Sequence, residues 1–153
     1  MPVFYLDTSA IVKRYRFEPG TGAIDRLFDV RQDNTKFYTS LLTTLELTSS
    51  ILRLVKCGQL GKSVADGMLA RFRQDSHDTI RVLPMTDAIV NDAVAVVERH
   101  QLRSGDPIHL ATAATIFRLA PDSETILVSS DRELLEAAIG SGMGVLNPQD
   151  AAA

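Results

Sequence analysis

Five short runs rich in strand-forming residues recur along this chain, at 3–7, 36–40, 79–83, 125–129 and 144–146, with helical spacing of apolar residues between them. Strands separated by helices do not pair as hairpins. They need crossover connections, so the pattern predicts a parallel sheet covered by helices. The helical segments lie at 8–17 and 21–31, split by Glu18-Pro19-Gly20, then at 43–57 before Gly58 and at 62–76. Thr86 is placed to cap a helix that reaches about His100, Asp106-Pro107 opens another, and Ser130 with Glu133 has the spacing of a capping box. The expected architecture is α/β, with a central parallel sheet of about five strands flanked by helices. With 153 residues and no repeat or linker-like shift in composition, we expect a single domain over residues 1–150. The core must be mostly aliphatic, because Trp is absent and aromatics make up 6%.

The 43–76 pair carries more apolar surface than one buried stripe requires. Leu45, Leu47, Ile51, Leu52, Leu54 and Val55 are joined by Val64, Met68, Leu69 and Phe72. Either both faces pack within the domain or an apolar groove is left for another protein or subunit.

The formal net charge is −3, so bulk charge does not supply affinity for nucleic acid, which comes chiefly from Lys and Arg on phosphates. RNA binding would need local basic patches or a cation that offsets acidic side chains. The single cysteine, Cys57, cannot form an intrachain disulfide. The N-terminus shows neither a basic n-region nor a signal-like apolar stretch, and no apolar run approaches the roughly 18 residues that span a bilayer. A cytoplasmic location with no membrane association is expected.

In a parallel α/β sheet, ligands gather beyond the carboxyl ends of the strands, where strand order reverses. Asp7 closes the first strand run, Glu46 follows the second within the first turn, Asp106 opens the helix before the fourth, and Asp131 lies just past the fourth. Four carboxylates at one sheet end repel by on the order of 4 kcal/mol per close pair at an effective dielectric of 20, unless a proton or cation intervenes. Hard oxygen donors select Mg²⁺ or Mn²⁺, which suits phosphodiester hydrolysis. Each acid also has a structural reading: Asp106 and Asp131 as helix caps, Glu46 as the partner of Thr43 in a capping box. Asp7, after four apolar residues of a central strand, is the hardest to explain that way.

These residues resemble the motifs of PIN-domain nucleases, in particular the VapC toxins of bacterial and archaeal toxin–antitoxin pairs. The resemblance rests on Tyr5-Leu6-Asp7-Thr8-Ser9-Ala10, Thr43-Thr44-Leu45-Glu46-Leu47, the stretch from Leu102 through Ser104-Gly105-Asp106-Pro107-Ile108-His109 to Ala113, and Leu127-Val128-Ser129-Ser130-Asp131-Arg132-Glu133-Leu134. Two departures are extra length around 118–124 and Gly105-Asp106-Pro107 in place of a small residue, Asp and Ala. The resemblance implies a three-layer PIN-like fold and endoribonuclease activity dependent on Mg²⁺ or Mn²⁺. It also implies a homodimer and an antitoxin contacting the 43–76 segment. Asp7 and Asp106 are then the direct metal ligands. Glu46 and Asp131 bind through water, orient the nucleophile or hold a second ion. Ser9 and Ser130 are candidates to hydrogen-bond the carboxylates or metal waters. His109, one turn after Asp106, could face the site, and is expected to pack or to support a neighbouring side chain rather than to take part in catalysis. Lys13, Arg14 and Arg16, with Tyr15 among them, form the densest basic cluster for RNA, and Arg132 is a further phosphate contact.

Other functions fit less well. A phosphate-accepting receiver module needs an extra acidic pair and a Lys after its last acceptor strand, and a dehalogenase-type phosphatase needs a second Asp where Ser9 stands. A PIN domain reduced to RNA binding would not need all four acids. A housekeeping PIN-type RNase without an antitoxin shares the same chemistry.

Overall fold

The computed structural model describes residues 1–103 and 105–150; Ser104 of the third motif lies outside the described residues. The chain runs β1 (Pro2–Leu6), α1 (Thr8–Tyr15), α2 (Thr21–Asp29), β2 (Lys36–Ser40), α3 (Leu41–Lys56), α4 (Lys62–Asp78), β3 (Ile80–Leu83), α5 (Asp87–His100), α6 (Asp106–Leu119), β4 (Glu124–Val128), α7 (Arg132–Gly140) and β5 (Gly144–Leu146). The strands form one sheet in the order β3-β2-β1-β4-β5, and every neighbouring pair is parallel. The chain moves outward from β1 to β2 and β3, then returns past β1 to build β4 and β5. The strand order therefore reverses at β1 and β4.

Alternation along the central strands feeds two cores. Phe4 and Leu6 of β1, with Ile126 and Val128 of β4, face a layer of α1 to α4 that contributes Ile11, Ile24, Phe28, Leu47, Ile51, Leu69 and Phe72. Val3, Tyr5 and Leu127 face the opposite layer, where Leu110, Ala113 and Ile116 of α6 meet Leu134, Leu135 and Ala138 of α7. This is the three-layer α/β/α arrangement expected. Among the described residues no helix is long and apolar enough to cross a membrane.

Several helix ends differ from the expectation. Ser40 caps α3 by accepting from Leu42 N, so the helix begins at Leu41 and Glu46 sits in its second turn. Thr43 is buried and bonds other threonines instead of closing a capping box. Gly105, not Asp106, is the N-cap of α6. Asp131, not Ser130, caps α7, with Oδ1 accepting from Leu134 N at 3.0 Å. Gly58 does end α3 as expected: with φ of 72° it donates to Val55 O while Gln59 donates to Leu54 O, a Schellman closure. The extra length at 118–124 extends α6 and adds a turn, and Glu124 N still meets Met1 O at 3.2 Å, so β4 keeps its register on β1.

The α3–α4 pair resolves both readings of its apolar surplus. Leu47, Ile51, Ala65, Leu69 and Phe72 are buried in the core, while Leu41, Leu45, Leu52 and Val64 remain exposed.

Helix α1 is clamped to α4 by one carboxylate. Asp75 accepts from Arg14 Nε at 2.8 Å and from the Tyr15 hydroxyl at 2.7 Å, and the Arg14 guanidinium lies 4.0 Å over the Phe28 ring. Removing an acceptor shared by two half-buried donors leaves both unpaired. Asp75→Ala is therefore expected to cost on the order of 2–3 kcal/mol, and Tyr15→Phe about 1 kcal/mol, read from urea unfolding midpoints. An unshifted midpoint in Asp75→Ala would remove this clamp from the stabilising contacts.

Candidate active site

Because the strand order reverses at β1 and β4, their carboxyl ends leave a crevice between diverging connections. Asp7 lies in it, 3% exposed, immediately after β1. Its backbone N–H continues the ladder to Val128 O at 3.2 Å. Its side chain starts α1: Oδ1 accepts from Ala10 N at 2.9 Å and from the Ser9 hydroxyl at 2.7 Å, while Oδ2 accepts from Ser129 Oγ at 2.6 Å. Burial pushes this carboxyl above the usual range, and nearby His109, Ser129, Ser9 and Ala10 pull it back. Ser9 holds Asp7 as expected. The second serine is Ser129, not Ser130. The register was the missing signal, since Leu6 pairs with Val128 and the next pair in line is Asp7 with Ser129.

Glu46 enters from α3. Its Oε1 accepts from Thr8 Oγ1 at 2.8 Å and lies 2.9 Å from Nε2 of His109. The hydrogen bond from His109 holds the Glu46 carboxyl below its ordinary range, against partial desolvation. His109 is buried, as a packing residue would be, yet its ring contacts an acid of the site directly. Gly105 makes room for this approach. A Cβ there would stand 2.8 Å from Leu42 Cδ2 and 3.0 Å from Glu46 Oε2.

Asp106 and Asp131 complete the group from the starts of α6 and α7. Desolvation first, then the charges of Asp131 and Asp7, push the Asp106 carboxyl up to about 7. Asp106, Ser130, Asp131 and Glu133 line an open recess of about 440 Å³ together with Arg103 and Arg132. The buried Ser130 hydroxyl oxygen has no hydrogen-bond partner among the described residues, although its backbone N–H donates to Ser9 Oγ. Crowded carboxyls, an orphaned hydroxyl and an all-oxygen donor set fit a hard divalent cation. Among the described residues no three His, Cys, Asp or Glu side chains stand together closely enough to hold a metal ion by themselves; Mg²⁺ commonly takes only one or two carboxylates and fills its shell with water and substrate oxygens.

The expected basic cluster is not assembled here. Lys13 is 3% exposed and paired with Glu18 at 2.7 Å, Arg14 is tied to Asp75, and Tyr15 is 4% exposed. These residues sit at the far end of α1, about 9 to 12 Å along it from Asp7 at the rise of an α-helix. Lys13 and Arg14 are thus corrected from substrate contacts to helix clamps. Arg16 is part-exposed beside Glu18. Arg132 is 73% exposed, bonded to Asp150, and lines the acidic recess. Arg103, inside the third motif but not singled out there, lines it too.

A family model described as PIN domain matches residues 4–140. Ribonuclease VapC35 of Mycobacterium tuberculosis is 34% identical over 149 residues, covering 97% of this chain and 99% of the relative. Among solved structures, FitAcB from Neisseria gonorrhoeae aligns with a TM-score of 0.67 at 19% identity, covering 95% of this chain and 97% of its own. A toxin–antitoxin complex from Klebsiella pneumoniae aligns with a TM-score of 0.58 at 19% identity, covering 94% and 96%. At these identities the two structures speak for the fold.

In the unfolded chain Asp106 ionises near 3.8, whereas the folded chain, without divalent cation, holds the proton to about 7. The folded state therefore binds more protons across that interval. Its stabilising contribution is full below about pH 4, falls as pH rises, and is gone above about pH 7. Melting temperatures in EDTA from about pH 5 to pH 8 should decline less in Asp106→Asn than in the parent. Equal slopes would place the Asp106 carboxyl in an unperturbed setting.

Proposed function

The chain belongs to the PIN domain family, and on that premise we propose that it is a divalent-metal-dependent endoribonuclease, the toxin of a toxin–antitoxin pair. The observation that carries this reading is the gathering of Asp7, Glu46, Asp106 and Asp131 at one end of the sheet, where burial and then the neighbouring Asp131 and Asp7 raise the Asp106 carboxyl to about 7. The nuclease assignment draws on the near-full-length relative named a ribonuclease. Asp7 and Asp106 would hold Mg²⁺ or Mn²⁺ directly, with Glu46 and Asp131 binding through water or holding a second ion. When bound, the ion lowers the pKa of an attacking water and steadies charge on the leaving oxygen.

The chain's own residues do the positioning. Ser9, Ser129 and Ala10 N fix both oxygens of Asp7, Thr8 and His109 fix Glu46, and the first turn of α7 fixes Asp131. Helices α1, α6 and α7 begin at Thr8, Asp106 and Arg132, at or next to Asp7, Asp106 and Asp131. The partial positive charge of their N-termini favours acids and phosphates there. Arg132, with Arg103 beside it, would take an RNA phosphate at the mouth of the recess. Arg16, at the far end of α1, would contact RNA only outside the site.

For partners we assign the exposed row Leu41, Leu45 and Leu52 on α3, with Val64 of α4, to an antitoxin, in keeping with a structural neighbour described as a toxin–antitoxin complex. A homodimer in the cytoplasm is the accompanying assembly.

Purified protein should cut structured RNA only with Mg²⁺ or Mn²⁺. Asp7→Asn and Asp106→Asn should each slow cutting at least about 100-fold, since the transition-state stabilisation at stake is several kcal/mol. Metal-dependent cutting that persists unchanged in both variants would place the active site elsewhere.

A further inference from the structure

Glu46 is held unequally. Thr8 and His109 both bond Oε1, whereas Oε2 takes no hydrogen bond among the described residues and lies over Gly105, where a Cβ would come within 3.0 Å of it. The His109 ring is itself held from within the core, its Nδ1 2.7 Å from the hydroxyl of Tyr5, which is 0% exposed on β1. A carboxylate only accepts, so Nε2 of His109 carries the proton aimed at Glu46. The ring's other nitrogen, Nδ1, is paired with the Tyr5 hydroxyl. Hydrogen bonds thus link Tyr5 to His109 and His109 to Glu46. They join β1, α6 and α3 across 104 and 63 residues of chain.

A buried imidazole needs some partner at each nitrogen, so a packing role alone would satisfy its hydrogen bonds. Two details say more. The acceptor at Nε2 is a site acid, not a backbone carbonyl, and its second oxygen is kept clear by a glycine. We propose that Tyr5 and His109 are positioning residues that hold the Glu46 carboxylate with Oε2 toward the site, and so set how tightly the site takes a divalent cation. Their action goes through Glu46; neither touches substrate. The inference rests on the proposed reading of the site as a divalent-cation centre.

Mn²⁺ alone, titrated into the purified full chain and followed by the electron paramagnetic resonance of the free ion, supplies a readout independent of RNA cutting. Outer hydrogen-bond partners of metal ligands are commonly worth 10- to 100-fold in affinity. His109→Leu should weaken Mn²⁺ binding by about 10-fold or more, and Tyr5→Phe, which keeps the ring in place, by several-fold. His109→Gln puts an amide donor near the place of Nε2 and should recover most of the loss. In a Glu46→Gln background, Tyr5→Phe should weaken binding no further. The positioning role is overturned if folded Tyr5→Phe binds Mn²⁺ as the parent does, or if its loss is undiminished in the Glu46→Gln background. Should His109→Leu fail to fold, Tyr5→Phe and His109→Gln carry the comparison. The underlying reading fails separately, if Asp7→Asn and Asp106→Asn bind Mn²⁺ as well as the parent or if the parent binds none.

Discussion

A carboxylate taken out of water at the end of a central strand costs several kcal/mol unless its oxygens are met, and the architecture around Asp7 is the meeting of that demand. One oxygen is taken by the first turn of α1, through Ala10 N and Ser9, and the other by Ser129 at the end of β4. Ser129 in turn accepts from Asp131 N at 2.9 Å, and Ser9 from Ser130 N at 3.0 Å. One buried acid thus fixes where α1 begins, how β4 leaves the sheet and where the start of α7 is set. Moving any of these would strand a charge in the core.

Helix capping and site chemistry are often treated as rival explanations for an acid at a helix start. Here they coincide. Asp7 caps α1 and Asp131 caps α7, each through Oδ1, while Asp106 is the first residue of α6. The cap sets the carboxylate's direction, and the helix N-terminus supplies partial positive charge that offsets part of the repulsion. At Asp106 burial comes first and the charges of Asp131 and Asp7 add to it, raising its carboxyl to about 7.

Local pattern made much of this legible. The strand runs at 36–40 and 144–146 coincide with β2 and β5, and the other three differ by a residue at one or both ends. The alternation of strand and helix foretold the parallel sheet, and strand ends and motifs picked out the four acids. Several of the misses share a cause, a partner distant in sequence. Arg14 read as part of a basic patch because nothing local reveals that α1 lies against α4, where Asp75 waits 61 residues away; Lys13, by contrast, is taken by Glu18 only five residues on. Ser129 was passed over for Ser130 because only the β1–β4 register tells which serine faces Asp7. Which partners His109 meets was hidden because they come from β1 and α3. Periodicity along α6 marks it as buried and is silent on whether an acid meets it there.

The same helix that presents Glu46 inward presents Leu41, Leu45 and Leu52 outward. At 100° per residue these three leucines fall within about 40° of one another, and Glu46 lies about 100° around the helix from Leu45. With a helix diameter of roughly 10 Å, a polypeptide laid along the leucine row reaches the rim of the acidic group without any change in the fold. Glu46 is meanwhile anchored by Thr8 and His109, so α3 cannot roll its leucines inward without breaking those bonds. The cost of keeping Glu46 in place is an apolar row left in water, and a protein partner removes that cost by covering it. On the proposed reading, inhibition and solubility are served by one contact, because this exposed apolar row borders the site.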